Sequence, residues 1–478
     1  MMDPLWLMLI GMVVVVGGIL VFRLHAFLAL IFAAVIVSTL TPRSTLEQYA
    51  TGKGMAATEA QSFAQQSVGQ RVAAGFGGTC AKIGILIAMA SIIGKCLLES
   101  GAAERIIRST LRVFGERGAP LGFLTSGFVL AIPVFFDTVF YLMVPLAKSM
   151  GIRNKRNYGL YIMAIVAGAV MAHSLVPPTP GPLFVAEALG VNIGWMIMGG
   201  IVVGVFTSIV GYLYALCANR WWTIPVRDSG DISMAELSDL AQKSEEDLPP
   251  LWLSLGPIVL PVLLISGKTI LNSLVDTPPA SSGLQFAYAC MNQIGDKNIA
   301  LIVSGILALV LLAGQKRGEQ AALAPAVQSA LSTGGVIILI TSAGGAFGGA
   351  LQQTGIGHRI GELAAAYQIG VLPLAFFVTA LVRTAQGSAT VAMMTAVAIT
   401  AGLASDGQLG FHPVYLALVI GCGSKLVAWM NDSGFWVICK MSGMKESETL
   451  KTCSIMMAIM GLSGLFFVML LARLFPLV

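Results

Sequence analysis

The chain has 478 residues, of which 56% are apolar and only 11% charged, and its mean hydropathy is strongly positive. A soluble domain carries about 25% charged residues because its surface faces water, so most of this surface must face lipid. The formal charge of +5 is spread over short loops without a basic block or acidic tail, which gives nucleic-acid binding no support.

In chain order, apolar stretches of the roughly 20 residues needed to cross a bilayer core predict ten spans. They fall at about 4–22, 25–41, 78–98, 157–190, 192–218, 251–271, 298–314, 332–351, 413–438 and 452–476. The first has no small-residue cleavage site and runs straight into a second apolar stretch, so it reads as a retained span. Residues 42–77 and 315–331 are too polar to cross and are expected along the surface as amphipathic helices. The fourth and ninth spans are long and broken. The segment 219–250 carries seven acids against three bases and divides the chain as a hydrophilic cytoplasmic linker.

Two stretches fit neither a span nor a loop. Residues 119–150 hold two apolar arms around Pro133-Val134-Phe135-Phe136-Asp137, each about 20 Å long as helix, short of a core about 30 Å thick. Arg105, Arg108, Arg112 and Arg117 precede the pair, and Lys148, Arg153, Lys155 and Arg156 follow it. Both flanks are therefore expected on the cytoplasmic side, which makes the pair a re-entrant hairpin. The second stretch, 370–404, is interrupted by Arg383-Thr384-Ala385-Gln386-Gly387-Ser388 and has few flanking charges.

The halves echo one another. Residues 94–106 (GKCLLESGAAERI) share five identities with 348–360 (GGALQQTGIGHRI), and each half continues with a hairpin, a broken span and a closing span. Five spans per half is an odd number, so the second half is expected upside down relative to the first. The predicted fold is thus an all-α integral membrane protein of two inverted repeats, 1–218 and 251–478, each of five spans and one re-entrant hairpin. Both termini are expected on the outer face.

Non-helical backbone at membrane depth survives only where protein buries it or water reaches it. Four such places are evident: the hairpin tips at 133–137 and 383–388, and the breaks at His173–Pro182 (HSLVPPTPGP) and 431–434 (NDSG). Helix ends pointing at a shared centre offer free amides to an anion and free carbonyls to a cation.

Asp137, a carboxylate inside an apolar segment, is a candidate for proton coupling, with helix capping as its structural alternative. Arg383 at the opposing tip suits a substrate carboxylate through its two-pronged donor geometry; its alternative is a structural pair with Asp137 or Asp432. Asp432 can take a proton or cation, and His173 can relay protons or be a satisfied structural histidine. Lys425 lies mid-span and can neutralise Asp432. The glycine patches 75–79 and 342–348 read as close helix packing rather than nucleotide loops. The seven cysteines show no C-x-x-C spacing and the four histidines have no ligand partner at helical spacing, so no metal, disulfide framework or cofactor is expected.

The segments GFGGT at 75–79, PVFFD at 133–137, HSLVPPTPGP at 173–182, SAGGAFG at 342–348, RTAQGSATVA at 383–392 and NDSGFW at 431–436 resemble those of the gluconate:proton symporter (gluconate permease) family. The resemblance spans nearly the whole chain. It implies bacterial inner-membrane uptake of sugar acids with protons, kinship with the ion-transporter superfamily, an elevator motion and a homodimer. The expected substrate site comprises Arg383, Gln386, Gly387, Ser388, Thr390, Phe136, Asn431, Ser433, Pro178, Thr179, Gly78 and Thr79. The chain departs from the family at Asp137, where glutamate is common, at Thr179 (histidine), at Gly78 (asparagine), and at Ala428-Trp429 (a Ser-His pair).

The expected mechanism binds a sugar-acid carboxylate at Arg383 and its hydroxyls at the two tips and breaks, with a proton on Asp137 or Asp432. Sodium coupling is the nearest alternative. A membrane-embedded enzyme lacks a visible nucleophile–base pair or metal set, and a channel would conduct without saturating.

Overall fold

The computed structural model describes residues 3–227, 248–275, 282–316, 323–356, 359, 370–405, 409–430 and 432–477. All regular structure among them is helical. In the first half α1 (Pro4–Leu20), α2 (Ala26–Leu40), α3 (Arg43–Gly52) and α4 (Ala57–Gln65) lead into the long α5 (Val68–Glu99). Then come α6 (Ala102–Leu130), α7 (Phe136–Arg153), α8 (Tyr158–Leu175), α9 (Pro180–Ala188) and α10 (Ile193–Trp221). The second half holds α11 (Leu251–Leu274), α12 (Ser282–Ile294), α13 (Lys297–Gln315), α14 (Leu323–Gln352), α15 (Val371–Gln386) and α16 (Ala389–Ser405). It closes with α17 (Val414–Gly423), α18 (Ser433–Ser442), the single turn α19 (Glu446–Thr449) and α20 (Ile455–Leu474).

Among the described residues, seven helical stretches are long and apolar enough to cross a membrane, or eight if α2 and α3, bent by 101°, count as one. The helices α1, α15, α16 and α17 are apolar but shorter. Two boundaries differ from expectation. The polar stretch before residue 78 is not a surface helix to its end, because α5 starts at Val68. Ser67 and Gln70 build a reciprocal cap there, the Gln70 N–H donating to Ser67 Oγ (3.2 Å) and the Ser67 N–H to Gln70 Oε1 (2.9 Å). Likewise α14 already runs from Leu323 through residues expected to be peripheral. Most of the linker, 228–247, lies outside the described residues, as do Asn431 and Ile360.

The two glycine patches meet. α14 packs along α5 more extensively than any other pair of described helices. A Cβ on Gly345 would come within 1.9 Å of Thr79 Oγ1, and one on Gly75 within 3.1 Å of the Ala346 Cα. Small residues on both helices let the backbones approach, which is how helices associate where lipid removes the hydrophobic drive.

The pairing of helices is reciprocal between the halves. α6 packs on α8 and α15 on α17; α7 packs on α18 and α16 on α9. α5 and α14 are each followed by a glycine in the left-handed region, Gly101 and Gly355, both at φ +76°. These two are aligned with each other in the sequence echo. The buried core is continuous through α8, every described residue of which except His173 is buried. At one end, Arg227 after α10 clasps Glu448 of α19 with two hydrogen bonds of 2.6 and 2.7 Å. This ties the end of the first half to the second.

Candidate functional site

Helix interruptions from both halves open onto one cavity of about 420 Å³. The tip between α6 and α7 supplies Phe135, Phe136, Asp137 and Thr138, and α8 supplies Val170 and His173 just before its own break. The tip between α15 and α16 supplies Arg383, Ser388 and Thr390. The break between α17 and α18 supplies Lys425, Asp432, Ser433 and Gly434, while Thr333 and Ile337 of α14 and Met457 of α20 complete the wall.

Each feature has a local cause. Pro133 precedes the start of α7, and Asp137 sits in the first turn of that helix, where the N-terminal dipole favours a carboxylate. Gly387 ends α15 in the left-handed conformation at φ +84°, which a side chain rarely adopts. Across this turn the Gln386 amide donates to the Ser388 carbonyl (3.1 Å), and Ser388 Oγ accepts from the Val391 N–H (3.4 Å) as a cap for α16. Gln386 and Gly387 thus build the tip, while Ser388 and Thr390 face the cavity.

Arg383, in the last turn of α15, spans the α17–α18 break. Its Nε–H donates to the carbonyl of Ser424, next to the C-terminus of α17, at 3.1 Å. Its Nη2 donates to Asp432, which also caps α18 by accepting from the Gly434 N–H at 2.9 Å. Arg383 is only 3% exposed, and its Nη1 has no hydrogen-bond partner among the described residues. Of the alternatives for Arg383, a pair with Asp432 is the one the geometry displays. Two of the three guanidinium nitrogens are already engaged, which leaves Nη1 for a further acceptor.

The remaining expected site residues lie elsewhere. Gly78 is exposed and faces open space, whereas Thr79 packs on Gly345 in the α5–α14 contact and lines a separate cavity of about 200 Å³. Pro178 lines a small apolar cavity with Pro133, Pro177, Pro257 and Pro261. Thr179 is buried and donates to the Val176 carbonyl at 2.7 Å. Asn431 lies outside the described residues. Sequence reasoning misses Thr138, Thr333 and Lys425 as cavity residues. It pairs Lys425 with Asp432, a place that Arg383 occupies; a lone charge in an apolar run is the signal that marks Lys425.

The family model for GntP family permeases matches residues 3–474. A gluconate permease of Pseudomonas aeruginosa is 31% identical over 477 residues, covering 99% of each chain. The inner membrane permease YgbN of Escherichia coli is 31% identical over 413 residues, covering 83% of this chain and 87% of its own. Among solved structures, the YdaH transporter of Alcanivorax borkumensis superposes with a TM-score of 0.58 at 15% identity, over 85% of this chain and 88% of that one. The protein is a transporter rather than an enzyme, and a multi-pass protein of the bacterial inner membrane. Its helix breaks, its apolar helices and the match over almost its full length place the chain in the GntP permease family.

Proposed function

We propose that this permease imports a gluconate-like hydroxycarboxylate together with a proton. The observation that carries the reading is the single cavity in which Arg383, Asp137 and the hydroxyls of Thr138, Ser388, Thr390 and Ser433 face one another. A cationic donor suits a carboxylate, hydroxyls suit a polyol chain, and an unpaired carboxylate suits a travelling proton. Relatives named gluconate permeases or gluconate transporters supply the substrate class. Asp432 is already engaged, accepting from a guanidinium and from the N–H that it caps, so Asp137 is the carboxylate assigned to the proton. Proteoliposomes with an inward proton gradient should accumulate labelled gluconate equally with and without sodium at fixed pH. Uptake that requires sodium assigns the coupling to sodium instead, and no uptake removes gluconate.

The reciprocal packing of α7 on α18 and α16 on α9 supports two inverted repeats, with α6–α7 and α15–α16 as re-entrant hairpins in an elevator-type carrier. We take the working unit in the bilayer to be a homodimer. If α6 and α7 form a hairpin, cysteines placed at Arg112 and Arg153 should be labelled by an impermeant reagent from the same, cytoplasmic side. Labelling from opposite sides would mean that residues 119–150 make one crossing.

A further inference from the structure

Four charged side chains face the cavity, and two of them hold each other: Arg383 and Asp432. The other two have no fixed partner among the described residues. Lys425 is 6% exposed, and neither its ammonium nor the Asp137 carboxylate makes an ion pair or hydrogen bond with a described residue. Both line the same cavity, together with Asp432 and Arg383. His173 of α8 is the remaining titratable group on this wall. A buried ammonium with little water needs an anion. In the empty site the free anion is Asp137; in the filled site there is a second, the substrate.

We propose that Lys425 is an exchangeable counter-ion, facing Asp137 when the site is empty and the transported carboxylate when it is full. Binding the anion then removes the partner that kept Asp137 ionised, and Asp137 takes up the proton. The charges support this. Two cations and two carboxylates balance in the empty site. A bound monoanion alone leaves one negative charge in excess, and a single proton on Asp137 cancels it. Lys425 thereby links recognition to coupling at one proton per monoanion, and it sets the substrate class as monocarboxylates, because a dianion would leave an uncancelled charge. The substrate half of this proposal rests on the function proposed above; the pairing in the empty site does not.

A double-mutant cycle on the full-length protein tests both halves. Lys425→Met removes the charge at similar length, and Asp137→Asn removes its partner. Without any acid at pH 8, Lys425→Met should lower the apparent unfolding temperature in the wild-type background and change it little in the Asp137→Asn background. With gluconate at the same pH, Asp137→Asn should tighten binding about tenfold when Lys425 is present, the scale of coupling between interacting charges, and have no effect in the Lys425→Met background. Lys425→Arg should rescue both properties in large part. Equal effects of each substitution in both backgrounds, in melting and in binding, overturn the proposal. If wild-type protein binds no gluconate while the melting cycle shows coupling, the substrate assignment falls and the Lys425–Asp137 pair stands.

Discussion

Replacing Asp137 with asparagine should abolish uphill uptake of gluconate, while its exchange across the membrane persists and its binding is retained or tightened. Asp137 is the carboxylate at the tip of α6–α7 that faces the cavity and makes no fixed ion pair among the described residues. The amide keeps the size of the protonated acid and most of its hydrogen-bonding shape, so the loaded state is mimicked permanently. Coupling is lost because nothing is left to release a proton on the inner side. With one proton per monoanion, an inward gradient should let wild-type vesicles concentrate gluconate about tenfold per pH unit. The variant should stop at equal concentrations on both sides. Counterflow, in which unlabelled gluconate inside drives labelled gluconate inward without a gradient, should persist. If proton-driven accumulation survives in Asp137→Asn, the coupling group is Asp432, His173 or another residue.

Much of this site is legible in the sequence because breaking a helix in lipid requires unusual residues. Four prolines within HSLVPPTPGP, Gly387 after Gln386, and Asp432 before Ser433 mark three of the four interruptions without any coordinates. Asp137 and Arg383 stand out for the same reason, as isolated charges in apolar surroundings. Linear order does not reveal which side of a helix faces a cavity, and there it misleads. Gly78 and Thr79 carry a motif as suggestive as the others, yet α5 leaves Gly78 exposed to open space and turns Thr79 onto Gly345 of α14, away from the large cavity. Lys425 looks like a mid-span residue because apolar residues surround it. In fact α17 spans only 10 residues and ends at Gly423, so Lys425 lies in the break itself. Choosing between Asp137 and Asp432 as the partner of Arg383 depends on the register of α15 against the α17–α18 break, which is a tertiary property. The helix starts at Val68 and Leu323 escape sequence reasoning because local caps and packing override the polarity of the first turns.

Removing Arg383 tests whether the residue serves the substrate, the fold or both. Arg383→Ala leaves Asp432 without its guanidinium in a place where that residue is only 8% exposed. Breaking one side of a buried pair costs about 3–5 kcal/mol, so this variant should express poorly or unfold early. Its weak binding would then be uninformative. Adding Asp432→Asn removes the stranded charge, and the side-chain carbonyl can still cap α18 in place of the carboxylate. The double variant should therefore regain a monodisperse, thermally stable fold. Its affinity for gluconate should nevertheless stay low. The Nη1 donor, unpartnered among the described residues, is lost along with the cation, and a hydrogen bond to a charged group contributes roughly 1.5–3 kcal/mol. That corresponds to a dissociation constant raised by roughly ten- to one-hundred-fold. Arg383→Lys should fall between wild type and the double variant, because a lysine keeps the charge but cannot reach the Ser424 carbonyl, Asp432 and a substrate in one plane. Titration of gluconate into the folded double variant decides between these roles. An unchanged dissociation constant would confine Arg383 to bridging the α17–α18 break and pass recognition of the carboxylate to Lys425.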